Sequence, residues 1–373
     1  MSHRTEANLD LKQGGCVIAR FALHLPISPQ TPIVSLGEGG TPLIYSPRLS
    51  AALGRGCEVY VKNEGSNPTG SFKDRGMTVA VSKAKERGAE TLICASTGNT
   101  SASAAAYAAR AGMRCAVVLP AGKIASGKMV QAFAYGAQVV AIDGNFDQAL
   151  EIVRALGQRP DFAIVNSINP DRIAGQKTAA FEVVEDLGDA PDFHLLPVGN
   201  AGNITAYWAG YGEYFEMGKA AQRPRMIGFQ AADAAPIYRG EIIVRPETVA
   251  TAIRIGNPAS WSEANRVVVE SGGMIDIVSD EEILDAQRWL ASSEGIFVEP
   301  ASAAPIAGLL RAAAAGTRAG FTGNTIPDGS RIVCTVTGHG LKDPEAIVSG
   351  IAPAPPVAPN GSEVLRALTS ARS

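Results

Sequence analysis

The chain has 373 residues, 46% hydrophobic and 18% charged, enough to bury a large core and long enough for two domains. A formal net charge of -3 and an aromatic content of 6% leave no basic field and no stacking platform for nucleic acid, and nothing to hold an anionic membrane. Cys16, Cys57, Cys94, Cys115 and Cys334 show no CxxC spacing, and the four histidines form no HExxH, so neither a metal site nor a metal hydrolase is expected. An odd number of scattered cysteines reads as reduced thiols in a cytoplasmic protein. The polar stretch Met1 to Asp10 lacks the apolar core of a secretory leader.

In chain order, the first informative segment is Asn67-Pro68-Thr69-Gly70-Ser71-Phe72-Lys73-Asp74-Arg75. It sets a lysine directly after a Gly/Ser turn, where a helix is expected to begin. The positive end of a helix dipole disfavours an ammonium there, and desolvation lowers its pKa further. A neutral amine so placed is what a Schiff-base lysine needs, although a solvated lysine after a loop fits the nonapeptide equally well. Leu92 to Ala95 reads as a strand, followed by the loop Ser96-Thr97-Gly98-Asn99-Thr100-Ser101 and an Ala-rich helix from Ala102 to Arg110. That apolar run continues to Leu119, but Arg110 and Arg114 break it, so it does not span a membrane. Strands follow at Cys115 to Leu119 and Gln138 to Ile142, a helix around Phe146 to Leu156, and a strand at Phe162 to Val165.

The strand Phe193 to Val198 leads into a second glycine-rich loop, Gly199-Asn200-Ala201-Gly202-Asn203, and a helix. Such turns expose backbone N–H groups at a helix start and bind anions. One is weak evidence, because every α/β protein has tight turns. Two of them with a candidate imine lysine point to a phosphorylated carbonyl cofactor, pyridoxal phosphate. Further strands are expected at Met226 to Gln230, Gly295 to Val298 and Arg331 to Thr337. The alternation predicts an α/β protein of two domains with mostly parallel sheets flanked by helices, their loops facing a shared cleft. Ala352 to Pro359 is a Pro/Ala-rich linker to a short terminal helix. Other phosphate and nucleophile signatures fail. Ser71 stands where a Walker lysine belongs, and no G-x-G-x-x-G or G-x-S-x-G is present.

With these residues in view, the chain resembles the threonine synthases among the fold type II pyridoxal-phosphate enzymes, from about Leu36 to Pro344. The resemblance rests on Gly37-Glu38-Gly39-Gly40-Thr41-Pro42, the lysine segment, Ser96 to Ser101, Asn166 to Thr178, Gly199 to Asn203, Ala252 to Trp261, Val298 to Ala304 and Thr337 to Pro344. The lysine and asparagine loops are shared with related dehydratases; Asn166 to Thr178 and Asn257 to Trp261 are more particular to threonine synthases. Some members carry an N-terminal cysteine cluster, where this chain has only Cys16.

The resemblance implies a fold like that of the tryptophan synthase β-subunit. Residues 1–74 and 161–373 would form a large cofactor domain and 75–160 a smaller one. It implies a homodimer acting on O-phospho-L-homoserine. Lys73 would hold the cofactor as an imine and shuttle protons. Asn99 would meet its ring oxygen, Gly199, Asn200, Ala201, Gly202 and Asn203 its phosphate, and Thr337 its ring nitrogen. Ser96, Thr97 and Thr100 would hold the substrate carboxylate; Asn166, Ser167 and Arg172 would hold the substrate phosphate. Blander readings stand beside these. Ser96 to Thr100 also suits helix capping, Arg172 also suits pairing with Asp171 or Glu182, and Thr337 also suits a plain strand position. Lys62 and Lys177 read as solvated, and His339 as a loop-positioning residue. A threonine or serine dehydratase, a paralogue using another γ-substituted amino acid, and a non-catalytic cofactor-binding protein remain as alternatives.

Overall fold

The computed structural model describes residues 16–121, 129–315, 326–348 and 355–370. The chain up to Asp343 makes one compact unit, and Pro344 onward makes another. The first unit contains a six-stranded sheet ordered β1-β2-β10-β7-β8-β9 and a four-stranded sheet ordered β5-β4-β3-β6. Their strands are β1 Leu43–Tyr45, β2 Glu58–Asn63, β3 Thr91–Cys94, β4 Arg114–Pro120, β5 Gln138–Ile142, β6 Phe162–Ile164, β7 Phe193–Pro197, β8 Arg225–Ala231, β9 Met274–Val278 and β10 Arg331–Val336. Among the strands of the described residues, only β1 runs antiparallel, against β2; every other strand pairing is parallel.

Parallel strands are covered by helices on both faces, so their central members are apolar throughout. β3 and β7 are buried at every position. The polar exception in β7 is His194, which meets Tyr211 Oη at 2.7 Å and Thr335 Oγ1 at 2.8 Å. Burial lowers its pKa to about 3, so it stays neutral in the core. The helix at Phe146–Leu156 starts where expected because Asn145 and Gln148 form a reciprocal capping box.

Three expectations need correction. Gly295 to Val298 is not a strand. Gly295 is the left-handed cap of the helix Asp280–Glu294, Val298 makes a single bridge to His339, and Pro300 already opens the next helix. Lys62 is not solvated. It lies on β2, fully buried, and donates to Thr41 O at 2.7 Å and Glu182 Oε2 at 2.9 Å. The charge is neutralised inside the core by a carboxylate that arrives far later in the chain. Lys177 is not freely solvated either: its side chain is 16% exposed and pairs with Glu213 at 2.5 Å.

The arrangement sets the expected site segments at strand ends. The lysine segment follows β2 through the short turn Glu64–Ser66, and the Ser96 loop follows β3. Asn166 follows β6, Gly199 follows β7, and Thr337 follows β10. All five segments lie beyond carboxyl ends of parallel strands, where α/β proteins bind ligands. The four-stranded sheet draws its edge strand β6 from beyond residue 160. In the second unit, the described tail leads from Pro355 into the helix Gly361–Ser370; residues 352–354 of the expected linker lie outside the described residues.

Candidate active site

Lys73 is the first residue of the helix Lys73–Glu86, and its Nζ lies 4.0 Å from the centroid of the Phe72 ring. Its pKa is lowered to about 7, first by burial and then by the Arg172 guanidinium, with Glu299 opposing. A large share of the amine is therefore neutral near pH 7. The turn before it is locked by Asp74, which accepts from Thr69 N at 2.7 Å, Thr69 Oγ1 at 2.6 Å and Ser103 Oγ at 2.5 Å.

Arg172 comes close to the lysine because two helices cross without side chains between them. A Cβ on Gly76 would lie 2.7 Å from Arg172 O, and a Cβ on Gly175 would lie 2.0 Å from Arg75 O. Only glycine allows this approach between Lys73–Glu86 and Pro170–Gln176. Arg172 is 1% exposed. Its Nη1 donates to Val165 O at 2.9 Å, and its Nε has no partner. Neither proposed surface partner takes it: Asp171 meets Arg87, and Glu182 meets Arg75 and Lys62. Burial lowers its pKa to about 10. A buried guanidinium with an idle donor and no carboxylate partner among the described residues calls for an anion from outside.

Asn166 is more occupied than expected. Its amide accepts from Ala95 N at 3.2 Å and donates to Ala95 O at 3.1 Å, tying the ends of β6 and β3 together. The Ser96 loop is not spent on capping. Gly98 is the N-cap of Asn99–Ala111, and no side chain caps it. Ser96 Oγ only accepts from Gly98 N at 3.3 Å. Thr97 is partly exposed, as Ser167 is, and Thr100 is buried.

The Gly199 to Asn203 loop opens the helix Gly202–Glu216 with Ala201 in the left-handed region, φ 63°, and no side-chain cap. Asn200 Oδ1 accepts from Ala259 N at 3.3 Å, which joins this loop to the Asn257 to Trp261 block. A Cβ on Gly199 would come within 3.1 Å of Ile253 Cα. Asn203 is buried, and its Nδ2 donor has no partner. An uncapped helix start beside a buried idle amide donor fits a phosphate.

Backbone bonds lay the end of β10 against the lysine turn. Phe72 N donates to Thr337 O at 3.0 Å, and His339 N donates to Gly70 O at 2.9 Å. His339 Nδ1 also accepts from Leu341 N at 3.1 Å, so it does shape this loop. Thr337 is buried, with Oγ1 2.9 Å from Ser302 Oγ. Asn99 Nδ2 donates to both oxygens of Glu299, at 3.0 and 3.1 Å. Glu299 is buried, and burial raises its pKa. Ser71 Oγ, two residues before the lysine, is buried without a partner. Glu299, Ser302 and Ser71 join the lysine and asparagine loops without a sequence pattern that assigns them a role. Their signal was a charged or hydroxyl residue beside a helix start.

The unpartnered donors of Asn203 and Arg172 are two candidate anion contacts, and Lys73 adds an amine that is neutral in part near pH 7. That is the equipment for a phosphorylated aldehyde cofactor and a second phosphate. Residues 34–338 match the family described as "Pyridoxal-phosphate dependent enzyme". The chain is 57% identical to a threonine synthase of Halalkalibacterium halodurans, over 93% of this chain and 95% of that protein. It is 56% identical to one of Synechocystis sp., over 89% of this chain and 84% of that protein. Among solved structures, a cysteine synthase of Entamoeba histolytica superposes with a TM-score of 0.69 at 22% identity, covering 85% of this chain and 90% of that one, which shows a shared fold. On this evidence the chain belongs to the threonine synthases, within the pyridoxal-phosphate-dependent enzymes.

Proposed function

We propose that the chain converts O-phospho-L-homoserine and water to L-threonine and phosphate. The observation that carries this reading is Arg172, a buried guanidinium with an idle donor whose charge reaches Lys73. Bound pyridoxal phosphate supplies an electron sink beside an amino-acid nitrogen. Lys73 would anchor its aldehyde carbon, Asn99 would meet its ring oxygen, and Thr337 its ring nitrogen. Asn203, with the backbone of Gly199 to Gly202, would hold its phosphate. Lys73 Nζ, neutral in part near pH 7, then takes and returns protons on the substrate. Ser96, Thr97 and Thr100 would take the substrate carboxylate. Arg172 and Ser167 would receive the γ-phosphate and its growing charge as it leaves. Asn166 would contribute only the N–H and lone pair that Ala95 leaves free.

The 75–160 segment is read as a smaller lobe whose closure excludes stray water. A homodimer is part of the same reading, checked by light scattering in solution. So is a reducing cytoplasmic setting, in line with five free buried cysteines.

The decisive test is Arg172→Ala assayed on phosphohomoserine and on serine or threonine. Losing a charge-assisted phosphate contact costs about 1.5–3 kcal/mol, so kcat/KM on phosphohomoserine should fall roughly ten- to a hundred-fold. Any slow reaction on the unphosphorylated amino acids and the yellow colour of bound cofactor should persist. Equal loss on both substrate types would make Arg172 structural and favour a dehydratase.

A further inference from the structure

We propose that Tyr107 is a positioning residue: through its bond to Glu38 it fixes the roll and height of the helix Asn99–Ala111, and so aims the Ser96 to Thr100 loop at the substrate carboxylate. This rests on the reading of Ser96, Thr97 and Thr100 as the carboxylate contact.

Tyr107 stands eight residues beyond Asn99 on the same helix, about 12 Å along its axis, so it acts from outside the site. What it shares with Asn99 is a face. Asn99, Ser103, Tyr107 and Arg110 follow helical spacing and make one polar stripe within about 80° of arc. Each of the four donates a bond that leaves the helix. Asn99 Nδ2 donates to Glu299 at 3.0 Å, Ser103 Oγ to Asp74 at 2.5 Å, Tyr107 Oη to Glu38 Oε2 at 2.7 Å and Arg110 Nε to Ser35 O at 3.1 Å. The three carboxylates are buried and form no salt bridge among the described residues. Bonds to ionised acceptors are the strong ones, and burial sharpens them. Glu38 is itself a fixed acceptor, because it also takes Ser35 Oγ at 3.1 Å and Leu36 N at 3.0 Å.

The rest of the helix offers little else to set its register. Seven of its thirteen residues are alanine, whose shallow ridges resist sliding and rolling weakly. No side chain caps its start. The polar stripe therefore holds the helix in place, and Tyr107 is the buried anchor farthest from the loop. Three turns of helix move as a rod. A roll or slip released at Tyr107 is carried to Thr100 in the first turn and to Ser96 and Thr97 just before it.

The test uses the holoprotein and two probes. One is the phosphonate isostere of phosphohomoserine, with a methylene in place of the ester oxygen, so that the phosphorus group cannot leave. The other is the same compound without its carboxylate. Titration calorimetry gives the affinity for each. In Tyr107→Phe the isostere should bind about tenfold more weakly, while the decarboxylated probe stays within about twofold of the unaltered protein. A merely structural Tyr107 lowers both affinities alike, or lowers thermal stability alone; either outcome overturns the proposal. Ser96→Ala and Thr97→Ala check the reading beneath it, since each should weaken the isostere and spare the decarboxylated probe. If they do and Tyr107→Phe does not, the carboxylate site stands and the role of Tyr107 falls. If neither changes the affinity for the isostere, the carboxylate site is misplaced, and this proposal falls with it. Should Tyr107→Phe not fold, Arg110→Met decides, because Arg110 lies at the exposed end of the stripe. Its loss should shift the same ratio of affinities about threefold in the same direction, and an unmoved ratio overturns the proposal.

Discussion

Lys73 shows how one residue carries chemistry through its surroundings. Burial and Arg172 both lower its pKa, to about 7. Because the protonated form is the one disfavoured, the free amine is abundant above that value and falls about tenfold for each pH unit below it. The rate at which apoprotein captures pyridoxal phosphate, followed by absorbance, should decline with an inflection near pH 7. In Arg172→Ala the inflection should move upward, since a repelling charge is gone. A rate that is flat down to about pH 5 would contradict a neutral lysine. Residues in contiguous motifs were legible at this scale: Lys73, Asn99, Asn203 and Thr337 each stand beside a Gly-rich turn or a strand end. Ser302 and Glu299 were not, because the residues they touch, Thr337 and Asn99, lie on other segments. Lys62 was misread because its partner Glu182 lies on another element, and no local pattern announces that pairing.

At the scale of elements, the crossing of Lys73–Glu86 with Pro170–Gln176 sets how near Arg172 comes to Lys73. Gly175→Ala puts a methyl 2.0 Å from Arg75 O, so the helices must part. Overpacking of this kind costs about 1–3 kcal/mol, read from thermal unfolding. The kcat/KM on phosphohomoserine should also fall while bound cofactor is retained. An unchanged melting temperature and unchanged kinetics would show that the crossing has slack. The apolar strands β3, β4, β7 and β10 were legible because burial on both faces writes a continuous hydrophobic run. β2, reading Glu-Val-Tyr-Val-Lys-Asn, hid behind polar ends, and β9 has an aspartate at its centre. Gly295 to Val298 had strand composition, but a helix cap and a helix start claim its two ends.

Across the whole molecule, the glycine-rich N-terminal loop, the lysine helix and the helix Thr178–Leu187 meet at Arg75. Its guanidinium is 1% exposed and bonds Glu64 at 2.7 Å, Glu182 at 2.6 Å and Thr41 Oγ1 at 2.9 Å. Arg75→Met would strand two buried carboxylates and should cost about 3–5 kcal/mol, measured as a lowered urea midpoint. A loss under about 1 kcal/mol would mean that Lys62 alone balances the cluster. The parallel α/β class followed from alternating patterns, whereas the order of strands did not, because nothing local tells β10 where to insert. It inserts between β2 and β7, pairing with both. The strand that joins the two halves of the large sheet is thus the last to leave the ribosome. Until residue 336 emerges, β2 and β7 each present an open edge to the crowded interior of the cell. Cofactor capture by a translating chain should therefore appear only after residue 336 has emerged, and its colour serves as a clock for the final strand.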